Sequence, residues 1–301
     1  MSRIEPSKSS SAAPAIPSSL YGYDVLRFIG QGAGSQIYAV RDPATGNTFA
    51  LKHVKRINAK DIRFIEQVER EYAVGRQFRH SGLRRSYDLK LTRSFLRRVI
   101  EAALVMEYFD GQPLDAKPPT GMTNICDIFL QTARALEALH ALGLIHCDLK
   151  PNNILLNKSR QIKVIDFGQT CKAGTVKERI QGTPDYIAPE QVKREGVTVR
   201  TDVFNLGATL YWALSGQKIP TLYTVKHDAN SFLLDQKIST PHEINADVPE
   251  NLSNLTMECV RTNPSKRPET MSEVASRLEA VRHSLTHQIR PKTPPRAVTF
   301  S

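Results

Sequence analysis

"LIHCDLKPNNILL", residues 144–156, sets an acid, a cation and an amide in one short loop between two apolar runs. Asp148 and Asn153 stand five apart, with Lys150 between them and Cys147 directly before the acid. The strand-forming "ILL" (154–156), a turn at "NKSR" (157–160) and "IKVI" (162–165) make a predicted hairpin. That hairpin ends at a second acid, Asp166, in "DFG", 18 residues after the first. Magnesium prefers one or two carboxylates plus phosphate oxygens to a full protein cage. Asp166 and Asn153 can supply such ligands. Asp148 is then left to orient an acceptor hydroxyl and take its proton, while Lys150 neutralises charge on a transferred phosphoryl group. The chemistry that needs these groups together is phosphoryl transfer from a metal-bound nucleotide.

Upstream, "GQGAGSQIY" (30–38) joins two strand-like runs, "YDVLRFI" (23–29) and "SQIYAV" (35–40). Glycines let a backbone approach a bound group closely, and amides exposed in such a loop can cradle phosphate oxygens. The β-branched and aromatic residues that follow favour a hairpin over the strand-to-helix turn of a dinucleotide fold. Lys52 lies in a third strand, "TFALKHV" (48–54), after the turn "DPATGN" (42–47). Helical periodicity over 61–78, with Asp61 as the expected N-cap, puts Glu71 on one face with Phe64, Val68 and Gly75. A carboxylate facing a sheet is costly without a cation, and Lys52 is the natural partner. "EAALVMEYF" (101–109) reads as a further strand, and after Gly111 the character turns helical, with helices over 123–143, 201–215, 249–262 and 270–283.

Composition bounds the reading. The 301 residues suffice for one large domain or two small ones, and 40% hydrophobic with 24% charged residues is ordinary for a globular chain. A formal net charge of +11 fits an acidic partner or a solvated basic surface. Much of that charge lies in 76–99, with eight Arg/Lys against one acid, Asp88. That segment is either an exposed basic sheet surface or a docking site for an acidic partner. The four cysteines are scattered without a CxxC pair, which predicts reduced thiols in a cytoplasmic protein. No apolar run reaches membrane-spanning length, and no signal-peptide core opens the chain. The Ser/Pro-rich 1–20 and the basic, Pro-rich 286–301 read as disordered tails.

Over residues 21–285 the chain resembles the eukaryotic-type serine/threonine protein kinase family. The resemblance is carried in order by "GQGAGSQI", "FALK", Glu71, "HCDLKPNN", "DFG", "GTPDYIAPE" (182–190), "TDVFNLG" (201–207) and "NPSKRP" (263–268). It implies an α+β, protein-kinase-like two-lobe fold. A small β-rich N-lobe with one key helix (21–106), a hinge (107–111) and a larger helical C-lobe (112–285) would bind ATP and Mg2+. It implies ATP contacts from Gly30, Gln31, Gly32, Ala33, Gly34, Ser35 and Ile37. Ala50 would roof the adenine, Lys52 would reach the phosphates in partnership with Glu71, and Met106 would be the gatekeeper. The backbone of Glu107 and Phe109 would hydrogen-bond the base. Asp148 is the implied catalytic base beside Lys150, with Asn153 and Asp166 as metal ligands and Thr183 positioning substrate. Glu190 and Arg267 are implied to form a buried ion pair, Asp202 to bond the catalytic-loop backbone, and His146 to pack beneath that loop.

Lys150 two residues after the base is the serine/threonine pattern, and the "APE" segment is typical of enzymes that seat a protein substrate. The alternative is a pseudokinase scaffold, against which the presence of Lys52, Asp148 and Asp166 argues. Cys147 departs from the family pattern, which usually has arginine there. Cysteine cannot pair with a phosphorylated loop residue, so activity is expected to depend little on loop phosphorylation. Thr170 and Thr175 remain as modifiable hydroxyls. Cys147 and Cys171 read as inert packing, with redox chemistry the alternative.

Overall fold

The computed structural model describes residues 16–32, 34–225 and 238–288. Ala33, most of the first tail and residues 289–301 of the second lie outside the described residues. The chain divides into two compact units, Met1–Ile65 with Asp88–Tyr108, and Glu66–Tyr87 with Phe109–Ser301.

The first unit is built on a six-stranded antiparallel sheet. Its strands are β1 (Ser19–Leu20), β2 (Tyr23–Gly32), β3 (Ser35–Arg41), β4 (Thr48–Lys55), β5 (Ser86–Arg93) and β6 (Val99–Glu107), ordered β1-β2-β3-β4-β6-β5. β1 pairs with β2 through Ser19 opposite Asp24, so pairing begins inside the segment read as a tail. One sheet face buries Tyr38, Val40, Leu51, Ala103 and Val105. Because side chains alternate along a strand, the residues between these point to the other face. Register sets Ile37 opposite Lys52 and Lys52 opposite Leu104 in one row there, and Ala39, Ala50 and Met106 in the next.

β5 occupies part of the basic stretch. Lys90 pairs with Asp88 at 3.3 Å, while Arg93, Arg97 and Arg98 surround an exposed hairpin tip at Phe95 and Leu96. Helix α1 (Ile62–Gly75) starts directly after Asp61, as the sequence suggests, and ends three residues short of the predicted 78. A 3-10 turn, Ala59–Asp61, precedes it, and Asn58 is the capping residue. Asp61 closes the capping box instead, accepting from the backbone N–H groups of Ile57 and Asn58 at 2.9 and 2.8 Å.

The second unit is mainly helical. Its helices after α1 are α2 (Met122–His140), α3 (Pro189–Lys193), α4 (Val199–Ser215), α5 (Pro241–Ile244), α6 (Glu250–Cys259) and α7 (Met271–Gln288). α2 is the central post. Ile125, Phe129, Ala133 and Leu136, which share one helical face, are buried, and so are Ile128, Leu130, Thr132 and Leu139. Packing against both α4 and α7 explains this burial on more than one side. α4 starts at Thr198, whose hydroxyl accepts from the Arg200 amide, and ends at Gly216 with φ 71°. Short strands β7 (Gly111–Pro113), β9 (Ile154–Asn157) and β10 (Ile162–Val164) form a three-stranded sheet, so Gly111, expected at the end of the hinge, is a strand residue. β8 (Leu144–Ile145) pairs with β11 (Cys171–Lys172). Among the described residues no helix is long and apolar enough to cross a membrane.

Candidate active site

The loop from His146 to Asn153 is positioned from below by α4. Asp202, fully buried, accepts from the backbone N–H of His146 at 2.8 Å and of Cys147 at 2.9 Å, and from His140 Nε2 at 2.8 Å. Burial alone would raise its pKa, but the His140 hydrogen bond and the neighbouring imidazoles outweigh burial and hold it below the usual carboxylate range. His146 is fully buried with its ring 5.5 Å from that of Phe167, which also packs edge-on against Phe78 at 5.1 Å. The loop therefore rests on a carboxylate and an aromatic stack.

Above this base, three side chains close a triangle. Lys150 Nζ donates to Asp148 Oδ2 at 3.0 Å and to Thr183 Oγ1 at 2.7 Å, and the Thr183 hydroxyl donates to Asp148 Oδ1 at 2.9 Å. Asn153 Nδ2 donates to the Asp148 carbonyl at 2.8 Å. Its own carbonyl accepts from the Ile165 N–H at 2.9 Å, which joins the loop to the residue before Asp166. Asp166 has a left-handed φ of 66°, and its Oδ1 caps the following 3-10 turn through the Gly168 N–H. Asp148, Lys150, Asn153, Asp166 and Thr183 thus all belong to one unit and one hydrogen-bonded loop system.

The same unit holds Glu71, which is 1% exposed and accepts from Arg84 Nη2 at 3.3 Å. A lone buried carboxylate would be costly; Arg84 supplies a cation that the sequence reading did not assign. Arg70, one residue earlier on α1, donates to the Gly168 carbonyl at 3.2 Å.

In the first unit, Gly30, Gln31 and Gly32 pair with Ile37, Gln36 and Ser35 around a tight turn. Gly34 needs to be glycine. Its φ is +72°, and an added Cβ would sit 2.5 Å from the Phe64 ring. Ile37, Ala50, Lys52 and Met106 share the sheet face described above, with Glu107 opposite Phe49 at the end of β6. Phe109 belongs to the second unit, its ring 5.4 Å from Lys163 Nζ.

The remaining residues form a frame. Arg267 and Glu190 make a bidentate pair at 2.8 and 2.9 Å, supported by Thr201 Oγ1 on Glu190 Oε1 at 2.8 Å. Arg267 also donates to the carbonyls of Arg200, Arg261 and Thr262. Sequence reasoning missed Gln191, whose Nε2 donates to the carbonyls of Cys147 at 2.8 Å and Gln181 at 3.2 Å. Its place directly after "APE" was the available signal. The segment after "DFG" is anchored by cations on main-chain oxygens: Lys177 Nζ on Gln169 O at 2.5 Å, and Arg194 Nη1 on Glu178 O at 3.0 Å. Thr170, one of the two modifiable hydroxyls, is 1% exposed.

Comparison with known proteins agrees with this geometry. The family model for the protein kinase domain matches residues 23–278. The chain is 30% identical over 292 residues to the serine/threonine-protein kinase PknA of Mycobacterium tuberculosis, covering 94% of this chain and 67% of that one. A probable serine/threonine-protein kinase of Clostridium acetobutylicum is 26% identical over 276 residues, covering 87% of this chain and 40% of its own length. The CBL-interacting serine/threonine-protein kinase 15 of Arabidopsis thaliana is 30% identical over 225 residues, covering 72% and 51%. The chain belongs to the serine/threonine protein kinase family. It spans about two thirds of the mycobacterial relative, and about half or less of the other two.

Proposed function

We propose that this chain transfers the γ-phosphoryl group of ATP to serine or threonine hydroxyls of a protein substrate. The observation that carries the reading is the closed triangle of Asp148, Lys150 and Thr183. A carboxylate with one oxygen on an ammonium and the other on a hydroxyl is fixed in direction. It can accept an acceptor hydroxyl's proton in line with the phosphorus, while the ammonium offsets charge on the transferred group.

The donor set fits Mg2+. Asp166 supplies a carboxylate. Asn153, with Nδ2 engaged by the Asp148 carbonyl, offers its amide oxygen, and a hard cation takes oxygen ligands. Bound there, the ion would supply charge neutralisation across the β- and γ-phosphates. In this reading Gly30, Gln31, Gly32, Gly34 and Ser35 place backbone amides on the phosphates. Ile37, Ala50 and Met106 line the base, and the backbone of Glu107 and Phe109 hydrogen-bonds it. Lys52 serves the α- and β-phosphates. With Cys147 in place of an arginine, transfer does not wait for loop phosphorylation; activity retained in a Thr170→Ala/Thr175→Ala variant is the expected result.

The working site is the reducing cytoplasm, in keeping with the free thiols of all four cysteines. An acidic partner docks at the exposed hairpin tip, where Arg93, Arg97 and Arg98 flank Phe95 and Leu96. Binding there weakens steeply with added salt.

The test is phosphate transfer from Mg-ATP to the chain itself and to a generic basic protein, with phosphoamino-acid analysis and an Asp148→Asn control. Phosphoserine or phosphothreonine that falls roughly 10²–10⁴-fold in the control is the expected result. Failure to bind nucleotide would overturn it in favour of a pseudokinase scaffold.

A further inference from the structure

Two thiols meet beside the catalytic loop. β11 pairs antiparallel with β8, with Cys171 opposite Ile145, and the chain then turns at Cys147 with a left-handed φ of 67°. The two sulfurs end 3.7 Å apart. Their surroundings differ. Cys147 is 1% exposed, in a cluster with Ile145 and Val197, whereas Cys171 is partly exposed. The contact with the Cys147 sulfur, joined by the Lys177 ammonium and the Thr175 hydroxyl, holds the Cys171 thiol below its usual range against the effect of burial. The same contact, together with burial and the Asp202 carboxylate, pushes Cys147 up. An accessible, thiolate-prone sulfur thus stands against a shielded one, which is the arrangement of an attacking and a resolving cysteine.

We propose that Cys171 and Cys147 form a hydroperoxide-reactive dithiol that closes to a disulfide between the segment after "DFG" and the catalytic loop. The Cys171 thiolate attacks the peroxide oxygen; the O–O bond breaks, leaving a sulfenic acid and, after protonation of the leaving oxygen, water or an alcohol. Cys147 Sγ then attacks Cys171 Sγ; the S–O bond breaks and water leaves with the Cys147 proton. The two thiols lose two electrons to the peroxide. The sulfurs need to close from 3.7 Å to about 2.05 Å. The strand that carries Cys171 is already paired with β8, which ends two residues before Cys147, so this is a local shift.

The consequence for turnover rests on the proposed kinase reading. Cys147 carries the N–H held by Asp202 and the carbonyl held by Gln191, and Asp148 is the next residue. Drawing Cys147 toward Cys171 displaces the base, and a displacement of about 1 Å costs roughly 10²-fold.

The experiment treats the intact chain with hydrogen peroxide, blocks remaining thiols with N-ethylmaleimide in denaturant and maps unreduced peptides by mass spectrometry. A Cys147–Cys171 linked peptide that disappears with dithiothreitol is expected, with Cys126 and Cys259 recovered as alkylated thiols. In Cys147→Ser, Cys171 should instead accumulate as a dimedone-reactive sulfenic acid. Full alkylation of both cysteines after peroxide would overturn the proposal, as would unchanged oxidation of Cys147 in Cys171→Ser. Thiol mapping does not require phosphotransfer, so a mapped disulfide in a chain that lacks kinase activity even when fully reduced would sink the proposed function and spare this site.

Discussion

Thr183 Oγ1 accepts from Lys150 Nζ at 2.7 Å across a sequence separation of 33 residues. The same hydroxyl donates to Asp148 at 2.9 Å, so one small side chain fixes both charged groups of the loop. Thr183→Ala should lower phosphoryl transfer roughly ten- to a hundredfold, because Asp148, the proposed base, and Lys150 lose their common anchor. Thr183→Ser keeps the oxygen and should retain most activity. Steady-state kinetics of the two variants checks this, the loss falling in kcat.

Arg267 and Glu190 form a buried, doubly hydrogen-bonded pair. Removing one partner leaves the other charge buried, so Arg267→Met should cost about 3–5 kcal/mol of stability. Adding Glu190→Leu should recover part of that loss, since an apolar pair of similar volume leaves no orphan charge. Urea denaturation midpoints of the single and double variants decide the point.

Gly34 and Gly46 have nearly the same φ, +72° and +73°, but only Gly34 has a side chain pressed against it. Alanine at Gly46 should cost about 1–2 kcal/mol from the left-handed backbone alone. Alanine at Gly34 adds the clash with Phe64 and should cost more, with weaker nucleotide binding. Thermal shift with and without ATP separates the two effects.

Stability should fall on acidification through two frame carboxylates. Asp202 and Glu190 are both held below the usual carboxylate range, in each case by partners that outweigh burial. A depressed folded-state pKa gives stability that is present above the ordinary carboxylate range and lost as pH falls through the folded value. Urea midpoints measured from pH 7 down to about 3 should show this loss. Asp202→Asn should start less stable at pH 7 and fall less steeply.

The fold class was legible in the sequence because the motifs run in order from "GQGAGSQI" to "NPSKRP". Asp148, Lys150, Asn153 and Asp166 could be read as a set because phosphoryl transfer fixes both residue type and spacing. Burial of Glu71 could be inferred from helical period alone. Arg84 could not be found that way. It lies among eight basic residues, and one-dimensional charge gives no sign that one of them turns inward. Gln191 was missed for a related reason: a neutral amide has no charge pattern, and its role lies in the two carbonyls it reaches. Asp61 stands at the third position of the capping box and not at the cap, because Asn58, three residues earlier, takes that role. The partition at Ile65 and Asp88 divides α1 between units, which hydrophobic period along a single helix cannot reveal.

Lys177 and Arg194 place their charges on the main-chain carbonyls of Gln169 and Glu178. Carbonyls are present from the moment the chain is made and no phosphatase removes them. A segment seated in this way takes up its arrangement as part of folding. In the proposed reading the number of competent molecules then follows the number synthesised, and output falls by degrading the chain, covering it or changing its thiols, not by erasing a phosphate.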